Sequence, residues 1–498
     1  MMHFISKIVV VLFCLHTTLV YGQNGIKVSS KANLSNSTFN TWATKPPMGW
    51  NSYDAYHGAI IEKQFLQSVE IVKQKLLPLG YNYVTIDFCW FNPGPLNWDP
   101  NNNWTTIPLQ QELDENGKLY PELAMDKFGR LLPSINRFPS SKNGMGFKAI
   151  AKEVHLKGMK FGIHIMRGIP RQAVEQNTPI LGTSYFAKDI AEVFDTCKWN
   201  NNMYGIDASK PGAQAYYNSL FKLYASWGVD FVKVDDISSP TYHAAEISMI
   251  RKAIDACGRK ILLSLSCGET FVSYAHHAEA NANLYRVSID FWDEWKDVLH
   301  MFDVMYMWQP FIGDGTWPDA DMIPIGKLCL TGFPVRQMPA NFDPNTYNKR
   351  EHFSFLTREE QKTLMSFWCI VRSPLIWGGD PIQSTKEDFE IISNKELIYI
   401  NQNTTNNHQV DNFIYSGSSK NNRIWIADEA GTQNKYLCFF NLSDKEQNIT
   451  MNLEWEEIRG RFQIRDIWKH SNEEITDGEI TRKVPAHGSV VLKLTKIK

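Results

Sequence analysis

Charged side chains stand inside two runs of the sequence that otherwise have the pattern of buried β-strands. In the first run, VDFVKVDDI, the alternation of side chains along a strand places Lys233 and Asp235 on one face. The second run, LYRVSID, places Arg286 and Asp290 on one face in the same way. Buried charges are costly unless they are paired or lie at an open end. The two runs therefore predict a pocket where two carboxylates meet, each accompanied by a cation.

Two facing carboxylates are the arrangement that glycoside hydrolysis uses. One carboxylate attacks the sugar or activates water, and the other donates a proton to the leaving oxygen. Lys233 is expected to keep Asp235 ionised, as a nucleophile requires. The negative charge of Asp235 is expected to favour the protonated form of Asp290, with Arg286 opposing this effect. The alternative interpretation is a buried network of ion pairs without a catalytic role.

Short β-rich runs alternate with helical patterns from about residue 45 to 380. The runs read PPMGWNSY, YNYVTIDFCW, KFGIHIMRG, VDFVKVDDI, KILLSLSCG, LYRVSID, ADMIPIG and PLIWGGD. Between two of them Tyr216, Leu220 and Tyr224 recur at helical spacing, and Gly228 stands where that helix should end. This alternation predicts an α/β fold, a (β/α)8 TIM barrel with its active site at the carboxyl ends of the strands. An open doubly wound sheet would require a Gly-rich phosphate turn after an early strand, which the sequence lacks.

The segments outside the barrel have different patterns. A short basic start, an apolar stretch and a small residue before Gln23 predict a signal peptide over residues 1–22, and hence export to the periplasm or the medium. Polar residues 23–44 predict a flexible lead-in to the barrel, residues 45–394. Short alternating strands with polar turns over residues 395–498 predict a C-terminal antiparallel β-sandwich. A long insertion rich in Pro, Asn and Trp after IDFCW is expected to cover the mouth of the barrel.

Composition excludes several classes of partner. The 51 basic and 53 acidic residues balance, without a long run of either sign, which argues against binding of nucleic acid. After the signal peptide no apolar stretch is long enough to span a membrane. The cysteines are scattered and have no histidines at zinc spacing. The paired carboxylates described above predict a carbohydrate as the partner, and we expect no metal and no cofactor. The oligomeric state is left open.

Six ordered motifs resemble the α-galactosidases of glycoside hydrolase family 27, and the resemblance extends from about residue 45 to the C-terminus. The motifs are PPMGWNSY, IDFCW, GIDASKPGAQAYYNSLFKLYASWGVDFVKVDD, YRVSID, PDADMIPIG and TREEQKTLMSFWCIVRSPLIWGGD. The resemblance implies a retaining exo-hydrolase that forms a covalent glycosyl-enzyme intermediate and needs no metal. Asp235 matches the nucleophile of the family and Asp290 matches its acid/base.

The resemblance also implies a set of residues that bind the sugar. Trp50 resembles an aromatic wall of the pocket, and the others resemble groups that hydrogen-bond hydroxyls or line the site. The implied substrate-binding residues are Trp50, Asp87, His164, Lys233, Cys267, Glu269, Arg286 and Asp321.

The sequence departs from the family pattern within this set. Phe88 stands where the family has a second aspartate, His164 stands where a tyrosine is common, and CGET replaces a C-E-W element at Glu269. The predicted activity is removal of terminal α-linked galactose. The alternatives are the same reaction on a β-L-arabinopyranoside, an α-N-acetylgalactosaminide or an α-glucan end. A catalytically inactive sugar-binding barrel is the alternative of another class, but such a barrel would be expected to have lost one of the two aspartates.

Overall fold

The computed structural model describes residues 38–92, 123–197, 200, 202–313, 315–330, 351–411 and 421–497. The predicted signal peptide and residues 93–122 of the predicted insertion lie outside these ranges. Among the helices of the described ranges, none is long and apolar enough to cross a membrane.

Eight parallel strands form the first sheet of the protein. Their bounds are β1 Met48–Asn51, β2 Tyr83–Ile86, β3 Lys160–Met166, β4 Phe231–Asp235, β5 Leu262–Leu265, β6 Leu284–Arg286, β7 Trp317–Asp319 and β8 Leu375–Trp377. The order in the sheet is β7-β6-β5-β4-β3-β2-β1-β8. The segment after β7 joins the two edges, because Ile323 N donates to Ile376 O at 2.8 Å and Gly378 N donates to Ile323 O at 3.0 Å. The predicted (β/α)8 barrel is confirmed.

Helices follow most of the barrel strands and cover the outside of the sheet. Their bounds are α1 Tyr53–Tyr56, α2 Glu62–Lys75, α3 Lys148–Leu156, α4 Arg171–Glu175, α5 Ala187–Ile190, α6 Ala213–Trp227, α7 Ala244–Ala256, α8 Ala275–Asn281, α9 Trp295–Trp308, α10 Arg358–Ile370, α11 Lys386–Ile392 and α12 Lys395–Asn403. Helix α6 buries Tyr216, Leu220 and Tyr224 and ends at Gly228, as the spacing predicts. Gly228 has a φ of +89°, a left-handed conformation that favours glycine.

A three-stranded insert lies between β3 and β4. Its strands are Ile169–Pro170, Ala191–Thr196 and Met203–Ile206, and the last pairs antiparallel with both of the others. The insert follows the carboxyl end of β3, so it lies on the side of the barrel where an active site is expected.

Apolar side chains fill the amino-terminal end of the barrel. The first residues of five strands pack together with Ala43 in one cluster: Tyr83, Phe231, Leu262, Leu284 and Trp317. Layers of large side chains of this kind close the interior of a barrel. The charged residues of the same strands therefore lie toward the carboxyl ends.

The predicted flexible lead-in is wrong for residues 38–44. Thr38–Trp42 form a 3-10 helix whose Phe39 is buried. The guanidinium of Arg251 lies 4.6 Å from the centre of the Phe39 ring, and Trp317 Nε1 donates to Ala43 O at 2.8 Å. Although the segment is mostly polar, its apolar residues Phe39 and Ala43 are buried and pack at the amino-terminal end of the barrel.

Antiparallel strands build the C-terminal part of the chain. Their bounds are β9 Thr404–Gln409, β10 Asn422–Glu429, β11 Lys435–Asn441, β12 Gln447–Asn452, β13 Phe462–Asp466, β14 Ser471–Thr476, β15 Glu479–Val484 and β16 Ser489–Lys496. One sheet has the order β9-β10-β11-β16-β13-β14, and β12 pairs with β15 in a second sheet. An apolar cluster that includes Ile424, Leu437, Met451 and Ile480 lies between the sheets, so the predicted β-sandwich is confirmed. Its first strand begins at Thr404, after helix α12.

Candidate active site

Carboxylates from three strand ends converge at the carboxyl end of the barrel. Asp235 is the last residue of β4, Asp87 directly follows β2, and Asp290 lies on the loop after β6. Burial raises the pKa of the Tyr53 phenol, and the negative charges of Asp290, Asp87 and Asp235 raise it further. Since one phenol is close enough to interact with all three carboxylates, the three belong to one pocket.

Lys233 and Asp87 form an ion pair in this pocket. Lys233 Nζ lies 3.2 Å from Asp87 Oδ2, which also accepts a 2.7 Å hydrogen bond from Asn51 Nδ2. Burial alone would raise the pKa of Asp87, but Lys233 and His164 outweigh burial and hold it below its ordinary value. Conversely, burial alone would lower the pKa of Lys233, and Asp87 with Asp321 raises it above the usual range. Both groups are therefore charged at neutral pH.

Asp235 is buried, and several donors hold its carboxylate in the ionised form. His164 Nε2 lies 2.9 Å from Asp235 Oδ2, and the backbone N of Asp236 donates to Asp235 Oδ1 at 2.6 Å. Burial alone would raise the pKa of Asp235, but the hydrogen bond and charge of His164, followed by Lys233 and a hydrogen bond from Cys267, lower it to about 2. The carboxylate can thus act as a nucleophile or as an electrostatic partner across the ordinary pH range.

Asp290 has a different environment, since 56% of its side chain is exposed. Arg286 lies behind it, with one guanidinium nitrogen 3.2 Å from Asp290 Oδ1 and 2.8 Å from Asp321 Oδ2. Arg286 is itself buried. The two aspartates of the pocket thus differ: Asp235 is enclosed and ionised, and Asp290 is open to solvent and to an incoming molecule.

Asp319 and Asp321 form a second acidic group behind Arg286. Asp321 has a φ of +84° and accepts a 2.9 Å hydrogen bond from the backbone N of Phe291. Burial raises the pKa of Asp319 to about 6, and the neighbouring charge of Asp321 contributes to the rise. A left-handed conformation is unfavourable for an aspartate, so its presence here marks a backbone that the surrounding structure constrains.

Trp50 does not line the pocket, contrary to the prediction. Its side chain has no exposed surface, its Nε1 donates to Gly379 O at 2.9 Å, and its ring lies 6.0 Å from that of Phe65 in α2. The next residue, Asn51, contacts Asp87, so strand alternation turns Trp50 to the opposite face, toward the helices. Tyr53 is the aromatic residue that lies in the pocket instead of Trp50. Lys233 Nζ lies 5.8 Å from the centre of the Tyr53 ring.

The remaining predicted residues lie on β3 and on the loop after β5. His164 is buried beside Asp235, and Cys267 forms a hydrogen bond with the Asp235 carboxylate. Glu269 is partly exposed on the same loop as Cys267. Phe88 is buried with its ring edge-to-face against the ring of His164, at 5.4 Å and 83°. The apolar ring of Phe88 thus lies next to His164, which contacts Asp235.

Asp54 and Tyr53 lie at the site, although neither was among the predicted site residues. Asp54 is buried at the start of α1, and among the described residues its Oδ2 has no hydrogen-bond partner. Burial raises the pKa of Asp54 well above its ordinary value, and Asp321 raises it further. The signal was present in the sequence, because the motif MGWNSYDAY places an aromatic residue and an acid directly after a predicted strand.

Comparisons with known proteins agree with this fold. A family model described as alpha galactosidase A matches residues 202–340, and one described as alpha galactosidase C-terminal beta sandwich domain matches residues 419–494. One similar solved structure is an aspartate-to-alanine variant of a GH27 β-L-arabinopyranosidase from Geobacillus stearothermophilus, in complex with arabinose. Its sequence is 38% identical and its TM-score is 0.83, and the match covers 93% of this chain and 100% of that one. A putative α-N-acetylgalactosaminidase from Bacillus halodurans is 36% identical with a TM-score of 0.75, covering 91% and 97%.

Plant enzymes are more distant relatives. Alpha-galactosidase 2 of Arabidopsis thaliana is 24% identical over 471 residues, covering 92% of this chain and 91% of its own length. Matches of this length, two of them above 30% identity with solved structures, cover both the barrel and the sandwich. The chain therefore belongs to glycoside hydrolase family 27 and is a glycosidase.

Proposed function

We propose that the protein removes terminal α-linked galactose, or a sugar of the same ring configuration, by a retaining double displacement. The observation that carries the proposal is the contrast between the two aspartates: Asp235 is buried and ionised, and Asp290 is open to solvent beside Arg286. A retaining enzyme uses one carboxylate as nucleophile and one carboxyl group as acid/base, about 5–5.5 Å apart.

In the first step an oxygen of Asp235 forms a bond to the anomeric carbon while the bond from that carbon to the leaving oxygen breaks. Asp290 gives its proton to the leaving oxygen, which departs as an alcohol. His164, Lys233 and Cys267 support the nucleophile because they stabilise the ionised form of Asp235.

In the second step water attacks the anomeric carbon of the glycosyl-enzyme. Asp290 takes a proton from this water, and the bond between the sugar and Asp235 breaks with its electron pair returning to the carboxylate. Two inversions leave the anomeric configuration unchanged. The exposure of Asp290 suits this step, since water must reach it from solvent.

Charged pairs around the two aspartates suit a sugar with several hydroxyl groups. Lys233 with Asp87 and Arg286 with Asp321 each offer a donor and an acceptor to a sugar in the pocket. Buried paired groups of this kind discriminate strongly, because an analogue that lacks a hydroxyl leaves one of them unpaired.

A β-L-arabinopyranoside is the second candidate substrate, and Phe88 favours it. β-L-Arabinopyranose has the ring configuration of α-D-galactopyranose but lacks the hydroxymethyl group. A buried apolar ring at Phe88 supplies no acceptor for a further hydroxyl. A β-L-arabinopyranosidase is also among the similar solved structures.

Aryl glycosides test the proposal. Wild type should hydrolyse the α-galactoside or the β-L-arabinopyranoside, Asp235→Ala and Asp290→Ala should lose at least about 1,000-fold in kcat, and the exposed control Asp303→Ala should keep full activity. Added azide should restore turnover of Asp235→Ala because it occupies the vacated position of the nucleophile. NMR of the first product should show a retained anomer. Wild-type activity in Asp235→Ala, or an inverted first product, would refute the mechanism.

Export is also part of the proposal, together with a signal peptide that ends at residue 22 and a barrel domain that ends at residue 394. The basic and apolar pattern of residues 1–22 supports a cleaved signal. N-terminal sequencing of the protein recovered outside the cytoplasm should begin at Gln23. Recovery only from the cytoplasm, with Met1 still present, would contradict this expectation.

A further inference from the structure

Arg167 is a buried arginine outside the sugar pocket, and its guanidinium binds three acidic residues, one of which directly follows Asp235. Arg167 has only 2% of its side chain exposed. Its NH1 and NH2 groups donate to the two oxygens of Asp195 at 2.9 and 2.7 Å, and NH1 also donates to Glu246 Oε1 at 2.9 Å. Its NH2 lies 3.1 Å from Asp236 Oδ2, and its Nε donates to Asp236 O at 2.6 Å. Four of the five guanidinium N–H donors of Arg167 thus form hydrogen bonds, and the nitrogen that carries the fifth forms an ion pair with Asp236.

The backbone at the end of β4 is the part of the site that Arg167 constrains. Arg167 N donates to Asp235 O at 3.0 Å, and Arg167 Nε donates to the next carbonyl, that of Asp236. The peptide N between these carbonyls donates to Asp235 Oδ1 at 2.6 Å. The orientation of this peptide therefore sets the direction of the Asp235 carboxylate.

The conformation of Asp236 requires a constraint of this kind. Its φ of +57° is left-handed, a conformation that is unfavourable for most residues other than glycine. Such a conformation persists only where the surroundings hold it. Arg167 binds both the backbone oxygen and the carboxylate of Asp236, so it stabilises the turn that follows Asp235.

The partners of Arg167 anchor it to three other parts of the barrel. Asp195 belongs to the insert between β3 and β4, and Glu246 belongs to α7. Tyr217 of α6 donates its hydroxyl to Glu246 and accepts from Gly168 N at 2.9 Å. The position of the guanidinium is thus determined by rigid elements, as a group that orients another must be.

A metal site is the competing interpretation of these acids. Asp195, His243 and Glu246 offer ligand atoms within 4.8 Å of one another. The guanidinium of Arg167 already binds both oxygens of Asp195 and one of Glu246, and Tyr217 binds the other. The oxygens of Asp195 and Glu246 therefore already accept hydrogen bonds, which argues against a metal ion at this cluster.

We propose that Arg167 is a positioning residue for the reaction, which acts by holding the peptide between Asp235 and Asp236 so that the Asp235 carboxylate points at the anomeric carbon. The inference rests on the proposed role of Asp235 as nucleophile. Arg167 would thus raise kcat through the orientation of Asp235, without touching the sugar. A misplacement of about 1 Å in a reacting group can cost about 100-fold in rate.

The experiment is a double-mutant cycle between Arg167→Met and Asp235→Ala, with an aryl glycoside and added azide. Arg167→Met alone should lower kcat by about 100-fold, with KM changed less than about threefold, because the hydroxyl-binding groups stay in place. In the Asp235→Ala background, the azide-rescued rate should fall by less than about threefold on adding Arg167→Met, since no carboxylate remains to be positioned. A general structural defect would lower both rates equally.

Two further variants keep the test decisive if Arg167→Met folds poorly. Arg167→Lys keeps the charge but cannot reproduce the donor to Asp236 O, so kcat should lie between those of wild type and Arg167→Met. Arg130→Met removes another paired arginine of the barrel, one bound to Asp126, and should leave kcat unchanged.

Each outcome bears on the inference separately from the proposed function. A wild-type kcat in folded Arg167→Lys or Arg167→Met overturns the inference, and so does an equal loss in both halves of the cycle. If azide restores Asp235→Ala while the Arg167 variants are unaffected, the nucleophile stands and the positioning role fails. If Asp235→Ala is fully active, the proposed function and the inference fail together.

Discussion

Two aspartates of one pocket acquire different properties from their neighbours. Asp235 is surrounded by His164, Lys233 and Cys267, which lower its pKa to about 2 against the effect of burial. Asp290 has Arg286 on one side and solvent on the other. A pocket that separates an enclosed anion from an accessible carboxyl group has the division of roles that double displacement requires.

The contact between His164 and Asp235 predicts a pH effect. The folded-state pKa of Asp235, about 2, is below its ordinary value of 3.8, so ionised Asp235 stabilises the protein near neutral pH, and this stability is lost as the pH falls toward 2. His164→Phe removes the main stabilising partner and should raise this pKa. The acidic limb of kcat/KM should then move to higher pH.

A pH profile of kcat/KM for wild type and His164→Phe measures this shift. The control is His276→Phe, because His276 pairs with Glu279 on the surface of α8. An unchanged acidic limb in His164→Phe would show that His164 does not set the ionisation of Asp235.

We expect Phe88 to influence the ratio of kcat/KM for the α-galactoside to kcat/KM for the β-L-arabinopyranoside. Phe88→Asp places an acceptor beside Asp87, where the family has a second aspartate, and should raise kcat/KM for the α-galactoside relative to the β-L-arabinopyranoside by about 10-fold or more. Burial of a second acid also predicts a lower melting temperature. Competition between the two aryl glycosides measures the ratio.

The matched control for this substitution is Phe88→Leu, which changes the shape of the pocket without adding an acceptor. The ratio should stay within about threefold of wild type in Phe88→Leu. An equal change of the ratio in both variants would mean that volume, and not hydrogen bonding, determines the preference.

Strands β1 and β2 approach each other closely, and this approach positions Asp87. Gly49 lies in β1 opposite Tyr83 of β2, and a Cβ at Gly49 would lie 2.3 Å from the backbone oxygen of Tyr83. The backbone of a central strand cannot move away without breaking the ladder. The spacing of β1 and β2 in turn brings Asn51 to Asp87.

Gly49→Ala should therefore destabilise the protein by about 1–3 kcal/mol and lower activity. Urea unfolding at 25 °C gives the change in the free energy of unfolding. Gly478→Ala is the control, because a Cβ there meets no atom within 4 Å, and its effect should stay within about 0.5 kcal/mol. Equal stability of the two variants would contradict the close packing of β1 on β2.

At the scale of the whole molecule, one apolar core extends from the barrel helices into the sandwich. Phe440 of β11 packs against Phe302 of α9 and Phe367 of α10, with ring centres 5.0 and 5.6 Å apart. Trp468 Nε1 donates to Ser366 Oγ of α10 at 2.9 Å across the same interface. The contacts predict that barrel and sandwich unfold together.

Calorimetry should give one unfolding transition for wild type. Phe440→Ala should destabilise the protein by about 3–5 kcal/mol and separate the transition into two, with kcat at 25 °C unchanged. Phe462→Ala removes a buried ring from the interior of the sandwich, so it should lower stability without separating the transition. Two transitions in wild type would contradict the common core.

Local patterns predict much of this protein because they follow from backbone geometry. Alternation along a strand has a period of two, so the run VDFVKVDDI places Lys233 with Asp235 whatever surrounds it. Helix α6 ends at Gly228 because of its left-handed conformation, which the residue type anticipates. The alternation of strands and helices predicts the barrel for the same reason.

The barrel, the sandwich and the charged residues at the ends of β4 and β6 all follow from such local patterns. Which aromatic residue faces the pocket depends on packing. Trp50 lies in β1, and Tyr53 lies at the start of α1, where the chain leaves the strand. Packing also brings Arg167 to the turn after Asp235, together with Asp195 and Glu246. These residues are far apart along the chain, and a contact between distant segments depends on packing, which no local pattern encodes.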